Sequence, residues 1–290
     1  VAVLVQDNYC AGAGSALKGT MTGGALPVER KVRSDADGDD AKIDRLVADA
    51  VDASPIQGLL SKAHKSLFTL TLNGAAIDDG DVAQIDGPLE SEPGESFGRI
   101  ATMDDDNPIL IERIEVVEAQ SGVAGGAGTS LQPSQSRTLH LRVTCRRRAD
   151  GLKEITQELF SPLGSTFRFL SEECDQFGGQ GRAPDAVSYI SAGIAFCFMT
   201  QLGRYAKIMK KNLSRYQVVQ DAHFPQSGPR GNPGRADAIE PHVFLDSDEG
   251  ADFARKTLDM GEQTCFLHAL CRAELRTKIT VNRLAKEPTQ

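Results

Sequence analysis

The sequence predicts an α+β fold, and three observations carry that reading. Between Gly181 and Arg215, Val187, Ile190, Ile194, Phe198, Leu202, Tyr205 and Met209 recur at steps of three and four, the period of a helix with one face against a core. Three stretches before it alternate apolar and polar residues, as half-buried strands do. Past that helix the chain reads strand, strand, helix, strand. The second half therefore runs strand, strand, strand, helix, strand, strand, helix, strand. On the central helix a neighbouring stripe of Ile190, Gly193, Cys197, Thr200 and Arg204 carries the polar chemistry, so the Cys197 thiol is expected partly buried on a rigid element.

Taken in order, residues 1–54 read as a short apolar start, a Gly-rich turn region (Gly12, Gly14, Gly19, Gly23, Gly24) and an acidic stretch, SDADGDDAKIDRLVADAVD. Pro55 suits a first helical turn, and Ile56, Leu59, Leu60, Ala63 and Leu67 continue at helical spacing. Residues 72–109, rich in Gly, Asp, Glu and Pro, read as loops around short strands. The text ILIERIEVVEA from Ile109 to Ala119 is compatible with strand or helix, and the Gly/Ser-rich break SGVAGGAGTS comes after it. In SRTLHLRVTCRRR, Leu139, Leu141, Val143 and Cys145 alternate with polar residues; Asp150-Gly151 supplies a hairpin turn, and EITQELFSP returns. TFRFLSEE is a third strand, and the loop CDQFGGQGRAP delivers the chain into the central helix. After it come YQVVQDAHF as a strand, the loop PQSGPRGNPGR, PHVFLD as a strand, a helix from about Asp248 to Leu270, and RTKITVN as a last strand.

Composition removes several function classes. A net charge of -8 argues against nucleic acid or an anionic membrane surface as the main partner. No run approaches the ~18 apolar residues of a spanning helix, and the N-terminus is too short in apolar core for a secretion signal, which places the protein in the cytoplasm. Six cysteines in a 290-residue chain suit reduced thiols better than a disulfide framework. The chain has no paired CxxC and no HExxH, and its Gly-rich start lacks the order of a phosphate-binding loop. Asp35, Asp37 and Asp39 alternate, but Gly38 and Leu46 stand at the wrong places for a calcium loop, so the stretch reads as a solvated turn. Cys265, His268 and Cys271 share a face if their helix continues, a spacing a metal would accept and coincidence also supplies.

Two stretches carry a family resemblance. GGQGRAPDAVSYISAGIAFCFMTQL resembles the Gly-rich loop, Pro, acidic residue, small apolar helix and Cys of the OsmC/Ohr family of thiol-dependent hydroperoxide reductases. EQTCFLHAL before a strand is similar to that family's helix-borne second Cys. The match spans about residues 139 to 282, with Phe266 where the family usually has Pro and Asp185 two residues further from its Cys than usual. It implies antiparallel sheets packed around two central helices. The first half resembles a worn copy of the same unit: Pro55 to Ser66 repeats the Pro-to-Cys interval with serine in the thiol position, and SLQPSQSRTLHLRVTC resembles the family's closing segment. The implied organisation is a degenerate N-terminal half, 1–135, and a half carrying the cysteine pair, 136–290. Family members are intertwined homodimers, so the chain is expected as a pseudo-dimeric monomer or a homodimer.

What the resemblance implies about activity is a bacterial peroxidase of the oxidative stress response, reducing organic hydroperoxides through a peroxidatic Cys197 and a resolving Cys265. No cofactor is expected, only a small dithiol or dithiol protein as external reductant. The chemistry requires a thiolate that attacks ROOH and a second thiol that condenses with the sulfenic acid. A free thiol near ~8.5 must be lowered by a cation, because Cys197 lies mid-helix, far from that helix's N-terminus. Arg147 or Arg148 is the source by resemblance and Arg204 the local candidate; Glu172, Glu173 or Asp185 would orient the arginine. Cys265 shares a stripe with Ala251, Ala254, Leu258, Gly261 and His268, and small residues there let two helices approach. Cys10, Cys145, Cys174 and Cys271 read as core thiols. Two alternatives stand beside the enzyme: a non-catalytic relative that binds an apolar small molecule in an interface cleft, and a metal-binding protein using Cys265, His268 and Cys271.

Overall fold

The computed structural model describes residues 2–94, 109–117, 135–225 and 233–283. The break SGVAGGAGTS, the first residues of SLQPSQSRTLHLRVTC and most of the loop PQSGPRGNPGR lie outside them. In chain order the elements are β1 (Ala2–Gly14), β2 (Thr22–Ala25), β3 (Val28–Ser34), α1 (Asp40–Asp52), α2 (Pro55–Leu60), β4 (Thr69–Leu72), β5 (Ala75–Ile77) and β6 (Ile111–Glu115). They continue with β7 (Gln135–Arg147), β8 (Lys153–Ser161), β9 (Thr166–Ser171), α3 (Ala186–Met209), β10 (Arg215–Ala222), β11 (Ile239–Asp246), α4 (Ala251–Thr264), α5 (Phe266–Arg272) and β12 (Thr277–Arg283).

The fold is α+β, with two sheets around α3 and α4. The larger runs β12-β3-β1-β7-β8-β9-β6 with β2 on β1; the smaller runs β10-β11-β4-β5. Neighbours are antiparallel except β12 with β3 and β11 with β4, which run parallel. Strands from residues 1–135 and 136–290 share both sheets: β3 and β1 lie between β12 and β7, and β4 extends β11. Among the described residues of the first segment the longest helix is α1, 13 residues against 24 in α3.

The glycine-rich start is two paired strands joined by a turn: Gly14 and Gly19 take positive φ at that turn, whereas Gly12, Gly23 and Gly24 lie within the strands. Gly12 of β1 lies so close to α5 that a Cβ there would stand 3.2 Å from Phe266 Cε1, and one on Gly23 would stand 3.1 Å from the Cys265 carbonyl. These glycines answer to close approach, which sequence alone does not distinguish from turn use. Pro27 has no N–H to donate and separates β2 from β3 along one edge of β1. The acidic stretch folds as α1, capped by the Asp39 carboxylate accepting from the Ala41 N–H at 3.4 Å.

Two predicted helices end early. The one begun at Pro55 stops at Leu60, and Ser66 instead bridges to Ile239, the first residue of β11, so Ser66 does not occupy a helical thiol position. The helix predicted from Asp248 to Leu270 breaks at Cys265, whose φ of -73° and ψ of 122° are extended. The ambiguous stretch after Ile109 is a strand, β6, paired with β9. α3 also corrects the expectation that no run could span a membrane: it holds an 18-residue window of mean hydropathy 1.4. Its Ala, Ile, Phe, Met and Cys residues raise the mean, while Ser, Gly, Thr and Gln interrupt them so that no unbroken apolar run forms. In this fold it packs against α4 and β10.

The main core lies between the small sheet and the helices, where Phe68, Leu70 and Leu72 meet Phe198 and Leu202 of α3, Val243 and Leu245 of β11, and Ala254, Leu258 and Cys265. α3 and α4 touch at Gly261, where a Cβ would stand 2.7 Å from Leu202 Cδ2 and 2.9 Å from Phe198 Cε2. Both side chains are fully buried and have nowhere to move. Gly261→Ala is therefore expected to destabilise by about 1–3 kcal/mol through overpacking, a loss read from urea unfolding; an unchanged midpoint would remove this account of the helix contact.

Candidate active site

The break between α4 and α5 builds the site. Had the helix run on, the N–H groups after Cys265 would be spent on carbonyls of the preceding turn. Because the chain is extended at Cys265, α5 starts afresh there, and the Phe266 and Leu267 N–H groups are free to donate to the Cys197 sulfur, which α3 presents opposite. Gly193, one turn before Cys197, admits Leu267, whose Cδ1 lies 3.5 Å from where a Cβ would be. Cys265 is fully buried and Cys197 half-buried.

The thiols form an asymmetric pair. Cys265 donates its S–H to Cys197, the largest of the influences that bring the Cys197 thiol down to about 7 against the cost of burial. The Leu267 and Phe266 N–H groups add to it, and the Arg204 charge, seven positions along α3, adds further. Cys265 is pushed strongly the other way, by holding its proton on Cys197 and by burial. The helix N-terminus that acts on Cys197 thus belongs to α5, not to its own helix, which is why position within α3 alone gave the opposite expectation. The family's proline after the second cysteine was the signal: proline favours the first position of a helix, and α5 starts there with Phe266 in its place.

The remaining sequence candidates divide. Arg204 is brought to the pair. Arg147 and Arg148 are not: they lie beside the β7–β8 turn, where Arg148 pairs with Asp150 at 2.9 Å. Arg137, at the site end of β7, is ten positions from Arg147, roughly 34 Å at about 3.4 Å per residue. Asp185 caps α3, accepting from the Ser188 N–H at 2.8 Å, twelve positions before Cys197 and roughly 18 Å along the axis. Glu172 is held by Arg182 and by the Gln180 N–H; the Arg182 side chain, above all, lowers its carboxyl to about 2. Glu173 pairs with Lys153. None of these three carboxylates orients Arg204.

Cys265, His268 and Cys271 do not converge, because the helix is broken at the first of them; among the described residues no group of three His, Cys, Asp or Glu side chains is placed to hold a metal ion. His268 is packed against Phe198 at 4.8 Å and Phe68 at 5.7 Å, and burial lowers it to about 4. Cys271 lies in a separate core cluster with Leu59, Ile194 and Ile239.

Three residues missed in the sequence stand near the sulfurs. Gln201, one turn after Cys197, accepts from Thr264 Oγ1 at 3.5 Å, and its i+4 spacing made it legible. Cys10, on the face of β1 it shares with Gly12, is raised to about 11 by burial and, to a lesser extent, by the Cys197 charge. Arg137 falls in the inward register of Leu139, Leu141 and Val143 on β7, an arginine at an apolar position. It lines a small cleft with Arg204, Phe266, Thr264, Gln201, Met21 and other residues.

Comparison with known proteins finds a family for part of the chain. The model of the OsmC-like protein family matches residues 179–280. No curated protein sequence matches the chain. Among solved structures, an OsmC like protein from Mycoplasma pneumoniae is 13% identical, covering 49% of this chain and 95% of its own, with a TM-score of 0.35. An organic hydroperoxide resistance protein OsmC from Legionella pneumophila is 17% identical over 48% and 93%, TM-score 0.34. An organic hydroperoxide resistance protein from Elizabethkingia anophelis with thiocyanate bound is 16% identical over 48% and 94%, TM-score 0.34. Residues 179–280, which hold α3, the broken helix and both cysteines of the site, are an OsmC-like domain of this chain.

Proposed function

We propose that the protein is a thiol-dependent peroxidase that reduces organic hydroperoxides, with Cys197 peroxidatic and Cys265 resolving. The observation that carries the reading is the S–H of Cys265 donated to a Cys197 sulfur already held by two backbone N–H groups. That arrangement stabilises one thiolate and keeps a second thiol beside it. The Cys197 thiolate attacks the distal oxygen of ROOH; the S–O bond forms as the O–O bond breaks, and the alkoxide leaves as ROH after taking a proton. The resulting sulfenic acid is attacked by Cys265, an S–S bond forms and water departs. An external dithiol returns both thiols and leaves oxidised. Arg204 is the cation that favours the thiolate. All six cysteines are unbridged, which suits the reducing cytoplasm where we place the protein.

The apolar lining beside Phe266 also suits the second reading, an OsmC-like protein that binds an apolar small molecule without turning it over. Thiol titration before and after one equivalent of cumene hydroperoxide, with peptide mapping, separates the two. The peroxidase loses two thiols and yields a Cys197 to Cys265 bridge. Six thiols still titrating would sink the enzyme and leave the binding protein.

A further inference from the structure

Gln201 takes no part in the steps above, yet it sits among the groups that perform them. It lies one turn after Cys197 on α3, at the i+4 spacing that sets Cβ atoms about 5–6 Å apart. Helical side chains lean toward the helix N-terminus, so its carboxamide is carried back toward the Cys197 sulfur. Across from α3 it meets Thr264, the residue before Cys265, and it lines a small cleft with Thr264 and with Phe266, the residue after. Gln201 is 7% exposed, so solvent does little to satisfy its amide. Thr264 does little more: its hydroxyl hydrogen goes to the Met260 carbonyl at 2.6 Å, and the Gln201 amide stands 3.5 Å away. Whichever way that amide is turned, one hydroxyl engages one of its atoms, so at least one Gln201 N–H has no partner among the described residues. The cleft it lines has room for little more than one water, the size of a single departing oxygen.

Disulfide formation calls for such a donor. Cys265 is fully buried, a setting that disfavours a free thiolate. It therefore attacks as a thiol, and the oxygen on Cys197 must take the S–O electron pair as it leaves. We propose that Gln201 is a catalytic residue of this second step, its amide N–H holding the oxygen of the Cys197 sulfenic acid and staying on it as it departs into the cleft as water. The S–S bond forms and the S–O bond breaks; the oxygen, already carrying one hydrogen, takes its second from Cys265, and nothing else is consumed. The role rests on the peroxidase reading and places Gln201 after peroxide reduction rather than in it.

Rapid mixing of the full reduced chain with one equivalent of cumene hydroperoxide separates the two steps. Peroxide consumption reads the first, and the decay of sulfenic acid, quenched with dimedone at successive times, reads the second. Gln201→Met, of similar length but with no donor, should consume peroxide near the native rate and keep the pH midpoint of Cys197 alkylation. Its disulfide formation should slow about tenfold or more, the effect of losing a hydrogen bond to an oxygen that gains charge. Gln201→Asn, whose amide stops one methylene short, should slow the same step, and it carries the test if circular dichroism shows the methionine variant unfolded. Under excess peroxide the lingering sulfenic acid should advance to sulfinic acid at Cys197, which peptide mass mapping detects. Disulfide formation at the native rate in the folded variants would overturn the role of Gln201 and leave the peroxidase standing, as would a defect confined to peroxide consumption. A native chain that forms no disulfide removes both.

Discussion

Cys197→Ser is expected to abolish hydroperoxide consumption, a loss on the order of a thousandfold or more, because a serine hydroxyl does not ionise near neutrality and cannot replace the attacking thiolate. The two substitutions at Cys265 should then differ from each other. Cys265→Ala removes the S–H donor that contributes most to lowering Cys197. A hydrogen bond to the charged form favours that form, so its loss raises the pKa, the thiolate fraction at pH 7 falls, and raising the pH restores the first step. Cys265→Ser keeps an O–H donor and should hold Cys197 near its native titration while still blocking disulfide formation. Both variants should stall after one equivalent of peroxide with a sulfenic acid that dimedone traps. Iodoacetamide alkylation of Cys197 across pH reads the titration directly: a midpoint of about 7 in the native protein, higher in Cys265→Ala. An alanine variant with the native midpoint would show that the two sulfurs do not communicate.

Phe198→Ala should cost about 3–5 kcal/mol, the range for truncating a buried aromatic in a core that cannot collapse around the void. Phe198 is 0% exposed, its ring tilted against Phe68 at 5.7 Å and edge-on to His268 at 4.8 Å. A drop in Tm of roughly 5–8 °C is expected for a chain of this size. The neighbour gives a second readout. Neither His268 ring nitrogen has a partner among the described residues, and burial holds its pKa at about 4. Unfolded, the imidazole titrates near ~6.5. The unfolded state therefore binds the extra proton as pH falls through that window, so this group's contribution is complete above about 6.5 and declines toward 4. The void in Phe198→Ala admits water to the imidazole and should flatten that pH dependence. A variant that melts within a few degrees of the native protein would contradict the packing described here.

Periodicity located nearly every element of the second half, because those strands and α3 each carry a buried face of regular period. Its limits were local. Gly12 and Gly23 read as turn residues since a glycine needed for close approach and one needed for a tight turn look alike until the partner chain is placed. The helix end at Cys265 was hidden because its cause, a fresh start at Phe266, lacks the proline that would have announced it. Arg147 and Arg148 were chosen by their place in a family pattern, whereas Arg137 occupied an apolar register on the same strand and could have been found by parity alone. Cys10 was assigned to the core, which is correct for its burial but silent about the sulfur its strand approaches.

The pairing of β12 with β3 has a consequence for how the chain is made. β3 is complete at Ser34, but its outer neighbour ends at Arg283, so this edge of the large sheet stays bare through almost all of synthesis. Contacts so distant in sequence incur the largest loop-closure cost and form late. Until they do, β3 exposes a row of unpaired backbone groups to any passing strand. Arg33 on β3 is a solvated charge of the kind that discourages such a stranger, protecting the edge during the interval before the chain closes it itself.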